Sequence, residues 1–185
     1  MKKISTFFKK DPENLGRVIN EINPDNAWAV DAIATRKFDG TSCAIINGEL
    51  YKRYDAKIKP DGTYKRPIPL NAIPCQDADL LSGHHPHWVI CDRNNKADKY
   101  HFEGFDALAN KNDGSYELCG SKVQKNPEKI EGHQLIEHGQ KKLNVPDRSF
   151  EGLKKYLFEN DIEGIVFHLG DKMCKIRKTD FGFKR

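Results

Sequence analysis

Three short segments hold the residues of this chain best suited to chemistry: Lys37-Phe38-Asp39-Gly40-Thr41, Glu163-Gly164-Ile165-Val166 and Lys175-Ile176-Arg177. A free lysine amine has a pKa of about 10.4, so only about one part in a few thousand is neutral at pH 7. To attack phosphorus it must be deprotonated, and neighbouring cations or a bound metal ion lower its pKa by disfavouring the charged form. Lys175 and Arg177 are two residues apart on a predicted strand and so point to one face. There they lower the pKa of a nearby lysine and hold phosphates. Glu163 and Glu117 offer carboxylate oxygens for a hard divalent cation and for ribose hydroxyls. Asp39 stands beside Lys37, where it orients an attacking or leaving group, and Gly40 and Gly164 let backbone approach a ligand closely. Singly, each segment reads as an ordinary turn, a solvent-facing edge or a half-buried strand. In this order, each on a predicted strand, they point to a lysine that becomes bonded to a nucleotide.

The elements that must position these residues are legible in part. Residues 27–36 read as a strand delivering Lys37. TSCAII (41–46), Asn47-Gly48 and ELYKRY (49–54) read as a hairpin with a type I′ turn, because both turn residues need positive φ. The hairpin returns Arg53 towards Lys37. Upstream, Asp11 as a cap with Pro12 in the first turn predicts a helix with Leu15, Val18, Ile19 and Ile22 on one face, ended by Pro24. Residues 57–87 contain five prolines and three histidines without sustained periodicity, which predicts a long irregular excursion of functional or mobile character. Residues 88–91 read as a short strand, 98–109 as a helix, 115–119 as a strand presenting Glu117, and 120–140 as loop. Ser149 caps a predicted helix with Phe150, Leu153, Tyr156 and Leu157 on one face. A second hairpin follows, 163–168 and 173–178 about a turn through Gly170-Asp171. Two hairpins carrying the reactive residues predict an antiparallel α+β fold, and a chain of 185 residues is most simply one domain, 1–185.

Composition narrows the class. No apolar run approaches the roughly 20 residues of a membrane span, and the two lysines at the start precede no apolar core of a secretory leader. Five cysteines, at 43, 75, 91, 119 and 174, are odd in number and widely spaced, which favours reduced thiols and a cytoplasmic location. The net charge of +4 is unevenly spread. Residues 52–66 carry Lys52, Arg53, Lys57, Lys59, Lys65 and Arg66 against Asp55 and Asp61, and residues 172–185 form a second basic stretch. Such patches attract a polyanion, or are solvated loops and a frayed basic tail. Cys75, His84, His85, His87 and Cys91 match no zinc-ligand spacing, and nothing orders Cys119 or Cys174 with a histidine as a thiol nucleophile.

Taken together, the segments resemble the covalent nucleotidyltransferases, the superfamily of ATP-dependent ligases and mRNA capping enzymes. Lys37-Phe38-Asp39-Gly40 resembles its first motif, which bears the adenylated lysine. Arg53 resembles the arginine after the first hairpin, and Glu117 in Tyr116-Glu117-Leu118-Cys119-Gly120 the ribose-contacting glutamate of the third motif. Glu163-Gly164-Ile165-Val166 resembles the fourth and Lys175-Ile176-Arg177 the fifth. KRYDAK (52–57), AIPCQ (72–76), YELCGSKVQKNPE (116–128) and IEHG (136–139) are similar to segments of small ATP-dependent RNA ligases, so the resemblance runs over residues 30 to 182. Ser121 stands where proline is expected, and Arg177 where a second lysine is common. The resemblance implies an antiparallel-sheet nucleotidyltransferase (ATP-grasp-like ligase adenylation) domain with flanking helices. In a departure from many ligases, the few residues after Lys178 give the expectation of no separate C-terminal OB or helical domain. It implies ATP and Mg²⁺ (or Mn²⁺) as cofactors, the metal held by Glu163, Glu117 and Asp39. The partner is RNA with 5′-phosphate and 3′-hydroxyl ends, contacted by Arg53 and the basic 52–66 segment, with no membrane and no obligate protein partner. Lys37, Asp39, Lys175 and Arg177 are the implied catalytic residues, and Gly40, Arg53, Glu117 and Glu163 join Lys37, Lys175 and Arg177 in binding nucleotide. A DNA ligase or capping-type guanylyltransferase of the same superfamily, and a non-catalytic RNA-binding module, are the alternatives.

Overall fold

The structure is a computed structural model that describes residues 4–79 and 82–185. Residues 1–3, from the segment read against a leader, and 80–81, within the predicted excursion, lie outside the described residues. In chain order the strands are β1 (Ser5–Thr6), β2 (Phe8–Lys10), β3 (Val18–Ile22), β4 (Ile33–Lys37), β5 (Thr41–Ile46), β6 (Glu49–Lys57), β7 (Ile73–Pro74) and β8 (His84–Ile90). Helix α1 (Lys99–Asp106), strands β9 (Gly114–Gly120) and β10 (His133–Glu137), helix α2 (Phe150–Glu159) and strands β11 (Gly164–Leu169) and β12 (Lys172–Arg177) complete the order. This is a mixed α+β arrangement of largely antiparallel sheets. The described residues form two compact units, a continuous one over Gly40–Glu137 and a discontinuous one from residues 4–39 and His138–Arg185.

In the discontinuous unit, which carries Lys37, four strands form a sheet in the order β1-β12-β11-β4, antiparallel except for the β1–β12 pair. Strand alternation divides its side chains between two faces. Ala34, Ile165, Phe167, Cys174 and Ile176 are buried on one face in a core with Phe7, Phe8, Leu153 and Leu157. Full burial of a side chain such as Phe7, Phe8 or Phe167 stabilises by about 1.5–3 kcal/mol. Helix α2 starts where the Ser149 hydroxyl accepts the Gly152 N–H at 3.1 Å, and its i, i+4 pair Leu153 and Leu157 joins this core.

The continuous unit holds a six-stranded sheet in the order β10-β9-β5-β6-β8-β7. The β5–β6 hairpin turns through Asn47 (φ 52°) and Gly48 (φ 77°), the positive-φ pair that the Asn-Gly sequence predicts. The Asp113 carboxylate fixes that turn, accepting the N–H groups of Asn47 at 2.7 Å and Gly48 at 3.1 Å. Cys43, Ile45, Leu50, Tyr116, Leu118 and Leu135 form the core with Phe105 of α1.

Several predicted elements are corrected. The helix expected from Asp11 is a turn followed by strand β3, which pairs with β2, and Asp11 accepts the Glu13 N–H in an Asx-type turn. Residues 27–36 are not one strand: a 3-10 helix spans Pro24–Asp31, capped by Asn23 accepting from the Asp25 N–H, and β4 begins at Ile33. The stretch read as loop after Gly120 contains β10, paired along its length with β9. The excursion contains β7 and the start of β8. The basic end of the chain is ordered over a 3-10 helix, Lys178–Phe181, with Phe181 packed against Phe8 and Phe150.

Candidate active site

In the Lys37 unit the face opposite the core carries the reactive side chains in rows. Lys37 lies opposite Gly164, and Gly164 opposite Arg177. The next row is Thr35, Val166 and Lys175, and beyond it His168 lies opposite Ile33 and Met173. Lys37, Glu163, Lys175 and Arg177, predicted from segments more than 120 residues apart in sequence, are therefore brought together by the β4–β11–β12 register. The Lys37 ammonium donates to the Glu163 carboxylate. Gly164 is required between them for space: a Cβ there would collide with the Ile176 carbonyl oxygen and lie 3.2 Å from Arg177 Cγ.

The charge balance of this face is set by burial. Burial, aided by Arg177 and Lys37, pushes Lys175 down from 10.5 to about 8, with Glu163 and Asp180 opposing. A buried acid missed in the sequence organises the other cation. Asp180 is 0 % exposed and accepts from Arg177 through its backbone N–H at 2.9 Å, Nη2 at 2.9 Å and Nε at 3.3 Å. It also accepts from Lys10 Nζ at 2.7 Å. Burial alone would raise the Asp180 carboxyl, but these hydrogen bonds outweigh it and hold the pKa low. The same contact to Asp180 raises Arg177, against its burial. The signal for Asp180 in the sequence was its i+3 spacing from Arg177, which closes a capping box at the 3-10 helix. Asp39 faces the Arg185 guanidinium, Oδ2 to Nε at 3.8 Å, and Arg185 also donates to Asp161 at 2.8 Å. Further along the face, Thr35 Oγ1 lies 2.9 Å from His168 Nε2, and burial together with nearby His138 pushes His168 down.

Gly40, Arg53 and Glu117 belong to the Gly40–Glu137 unit. Gly40 lies against β9, where a Cβ would meet the Leu118 carbonyl oxygen, with Cys119 Sγ at 2.8 Å and Glu117 Cγ at 3.0 Å. Its glycine is thus needed for contact with the strand that presents Glu117. Glu117 is paired with Ser42 across β5–β9, so the two share a face. The β5–β6 register, Cys43 opposite Lys52, sets Arg53 beside Ser42 on that same face. Arg53 Nε donates to Asp55 Oδ1 at 2.8 Å. Between Glu117 and Arg53 the Ser42 hydroxyl is buried without a hydrogen-bond partner among the described residues. Sequence reasoning passed over Ser42, because a serine in a strand carries no signal of its own.

Among the described residues one cluster of three ligand-type side chains brings its donor atoms within 4.8 Å of one another: Cys91, Asp98 and His101. Its sulfur and imidazole are poor donors for Mg²⁺. Asp98 already accepts from Lys52 Nζ and from the Asp92 N–H, and burial pushes the Cys91 thiol up to about 12. The carboxylates Glu163, Asp39 and Glu117 have the hard oxygen donors that Mg²⁺ takes. All five cysteines are free. Among the described residues no helix is long and apolar enough to cross a membrane. Neither protein-family models nor curated proteins return a match to this chain.

Proposed function

We propose that the protein is an ATP-dependent RNA ligase that works through a lysyl-AMP intermediate on Lys37. The observation that carries this reading is the row Lys37–Gly164–Arg177 with Lys175 beside it and Glu163 on the lysine. A nucleophile, a proton acceptor and two phosphate-binding cations thus share one sheet face. The order of the motifs and the segments similar to small RNA ligases favour RNA as the substrate.

In the first step the Lys37 ammonium gives a proton to Glu163, and the neutral Nζ attacks the α-phosphorus of ATP. A P–N bond forms, the bond from the α-phosphorus to the bridging oxygen breaks, pyrophosphate leaves, and the second nitrogen proton passes to solvent. Arg177, held by Asp180, and Lys175 stabilise charge on the phosphoryl oxygens. The AMP then passes to the 5′-phosphate of an RNA, and attack by a 3′-hydroxyl on that end releases AMP. Glu163 and Asp39, both of the Lys37 unit, would hold Mg²⁺, which supplies neutralisation of phosphate charge. Arg53 and Glu117 are assigned to phosphate and ribose contacts, with the Ser42 hydroxyl between them as a further donor. The test is incubation with labelled ATP and, in parallel, labelled GTP. Alkali-stable, acid-labile label from ATP alone, chased onto the 5′-phosphate of an RNA and released as AMP when the ends are sealed, is expected. Label from GTP alone would point to a guanylyltransferase, and label from neither would leave a non-catalytic binding module.

A further inference from the structure

The six cations of residues 52–66 separate in the fold. Lys52 turns to Asp98, and Lys59 lines a cavity with Asp79. Arg53, Lys57, Lys65 and Arg66 remain together around a cleft of about 340 Å³, with Asp55 the one acid in its lining. Their backbone is pinned. The Lys65 N–H donates to the Lys57 carbonyl at 2.8 Å, the Lys59 N–H to Thr63 at 2.7 Å, and Ile58 bridges Tyr64. Tyr54 Oη donates to the Pro67 carbonyl at 3.0 Å, and Tyr64 Oη lies 2.6 Å from His85 Nδ1. The arm that reads as irregular in sequence therefore presents its charges from paired backbone.

Lys57 also lines the second cavity, of about 560 Å³, whose apolar walls are Ile58, Pro60 and Ala78. Ser82 completes that lining, and its Oγ is buried with no hydrogen-bond partner among the described residues.

We propose that this pair of cavities binds one unpaired nucleotide of a single-stranded RNA, its phosphates among Arg53, Lys57, Lys65 and Arg66 and its base against Ile58, Pro60 and Ala78. The choice of RNA rests on the ligase reading above. Lys57, shared by both cavities, sits at the join, as the phosphate-to-base geometry of a nucleotide requires. The apolar walls take the face of any base, and the Ser82 hydroxyl meets a base edge. A paired base cannot leave its stack to enter without loss of stacking and pairing energy, so the site selects single strands.

The test compares a short 5′-phosphorylated single-stranded RNA with the same RNA annealed to its complement, by fluorescence anisotropy across a salt series. The protein is expected to bind the single strand about tenfold more tightly than the duplex. Lys57→Gln/Lys65→Gln/Arg66→Gln is expected to weaken single-strand binding at least about tenfold and to reduce the salt slope by about 2, three contacts at about 0.7 each. The Lys65→Gln/Arg66→Gln pair, at exposed positions, is expected to reduce it by about 1.4 and serves if the triple variant does not fold. Unchanged affinity and slope in the variants, equal binding of the duplex, or competition by inorganic tripolyphosphate as effective as RNA at equal phosphate would overturn the proposal. Self-adenylation measured in parallel separates the two readings. Its absence in the wild-type protein removes the ligase assignment, while the binding series still decides this site.

Discussion

Lys175 makes the candidate active site a source of instability in the free protein, and the size of the effect follows from its surroundings. Its pKa falls from 10.5 to about 8, principally by burial and then by Arg177 and Lys37. At 1.36 kcal/mol per pH unit, this corresponds to a penalty of about 3 kcal/mol for the charged form in the folded state. Because the folded pKa is the lower one, the penalty is fully present below pH 8, where folded and unfolded chains both carry the proton. Between pH 8 and about 10.5 the unfolded chain binds more protons, so stability rises with pH and the penalty disappears. Lys175→Met keeps the side-chain volume and removes the charge. It is expected to raise stability by about 3 kcal/mol at pH 7, a gain in Tm of roughly 6–12 °C for a chain of this size, and to give no gain near pH 10.5. Urea and thermal unfolding of both proteins from pH 6 to pH 10.5 measure this directly. A variant less stable than wild type at pH 7, or a difference that does not change with pH, would refute the reasoning. An anion bound on this face would offset the penalty on the charged ammonium, so tripolyphosphate should stabilise wild type more than Lys175→Met.

Three further substitutions test neighbouring parts of the site. Asp180→Asn removes the buried partner of Arg177 and Lys10 and should cost about 3 kcal/mol at pH 7. As the Asp180 pKa is held low, its contribution is present above the unfolded carboxylate value and lost as pH falls through the folded one, so the deficit should close in an acid titration followed by circular dichroism. Gly164→Ala drives a Cβ into the Ile176 carbonyl and against Arg177. It should cost about 1–3 kcal/mol of stability and, by displacing the proposed phosphate-binding row, about 100-fold in the single-turnover adenylation rate. Ser42→Ala deletes a buried hydroxyl that has no hydrogen-bond partner among the described residues, so the free protein should gain about 1 kcal/mol while the nucleotide-induced rise in Tm shrinks.

What was legible in the sequence was local or periodic. Asn47-Gly48 specified its turn because few residue pairs adopt two successive positive-φ conformations, and Ser149 with Leu153 and Leu157 specified α2. Alternation placed Lys175 and Arg177 on one face, although only the β4–β11–β12 register shows that Lys37 shares it. The failures lie where a distant partner decides. Residues 18–22 fit a helical period, but pairing with β2 draws them into a strand. HQLIE is too short to announce itself, and β9 makes it a strand. The i+3 spacing of Asp180 from Arg177 was its one signal in the sequence, and its second cation, Lys10, is 170 positions away. The separation of the basic 52–66 segment into an inward Lys52 and a four-cation cleft depends on Asp98 and on the paired arm, neither of which has a sequence signature.

The central claim is that Lys37 is the residue that takes AMP, and Lys175, with its lowered pKa on the same face, is its natural competitor. Peptide mapping by mass spectrometry after incubation with ATP and Mg²⁺ distinguishes them. One AMP adduct on the peptide containing Lys37, lost in Lys37→Ala and retained in Lys175→Met, even at reduced yield, is the predicted result. An adduct on Lys175, or one that survives Lys37→Ala, would contradict it.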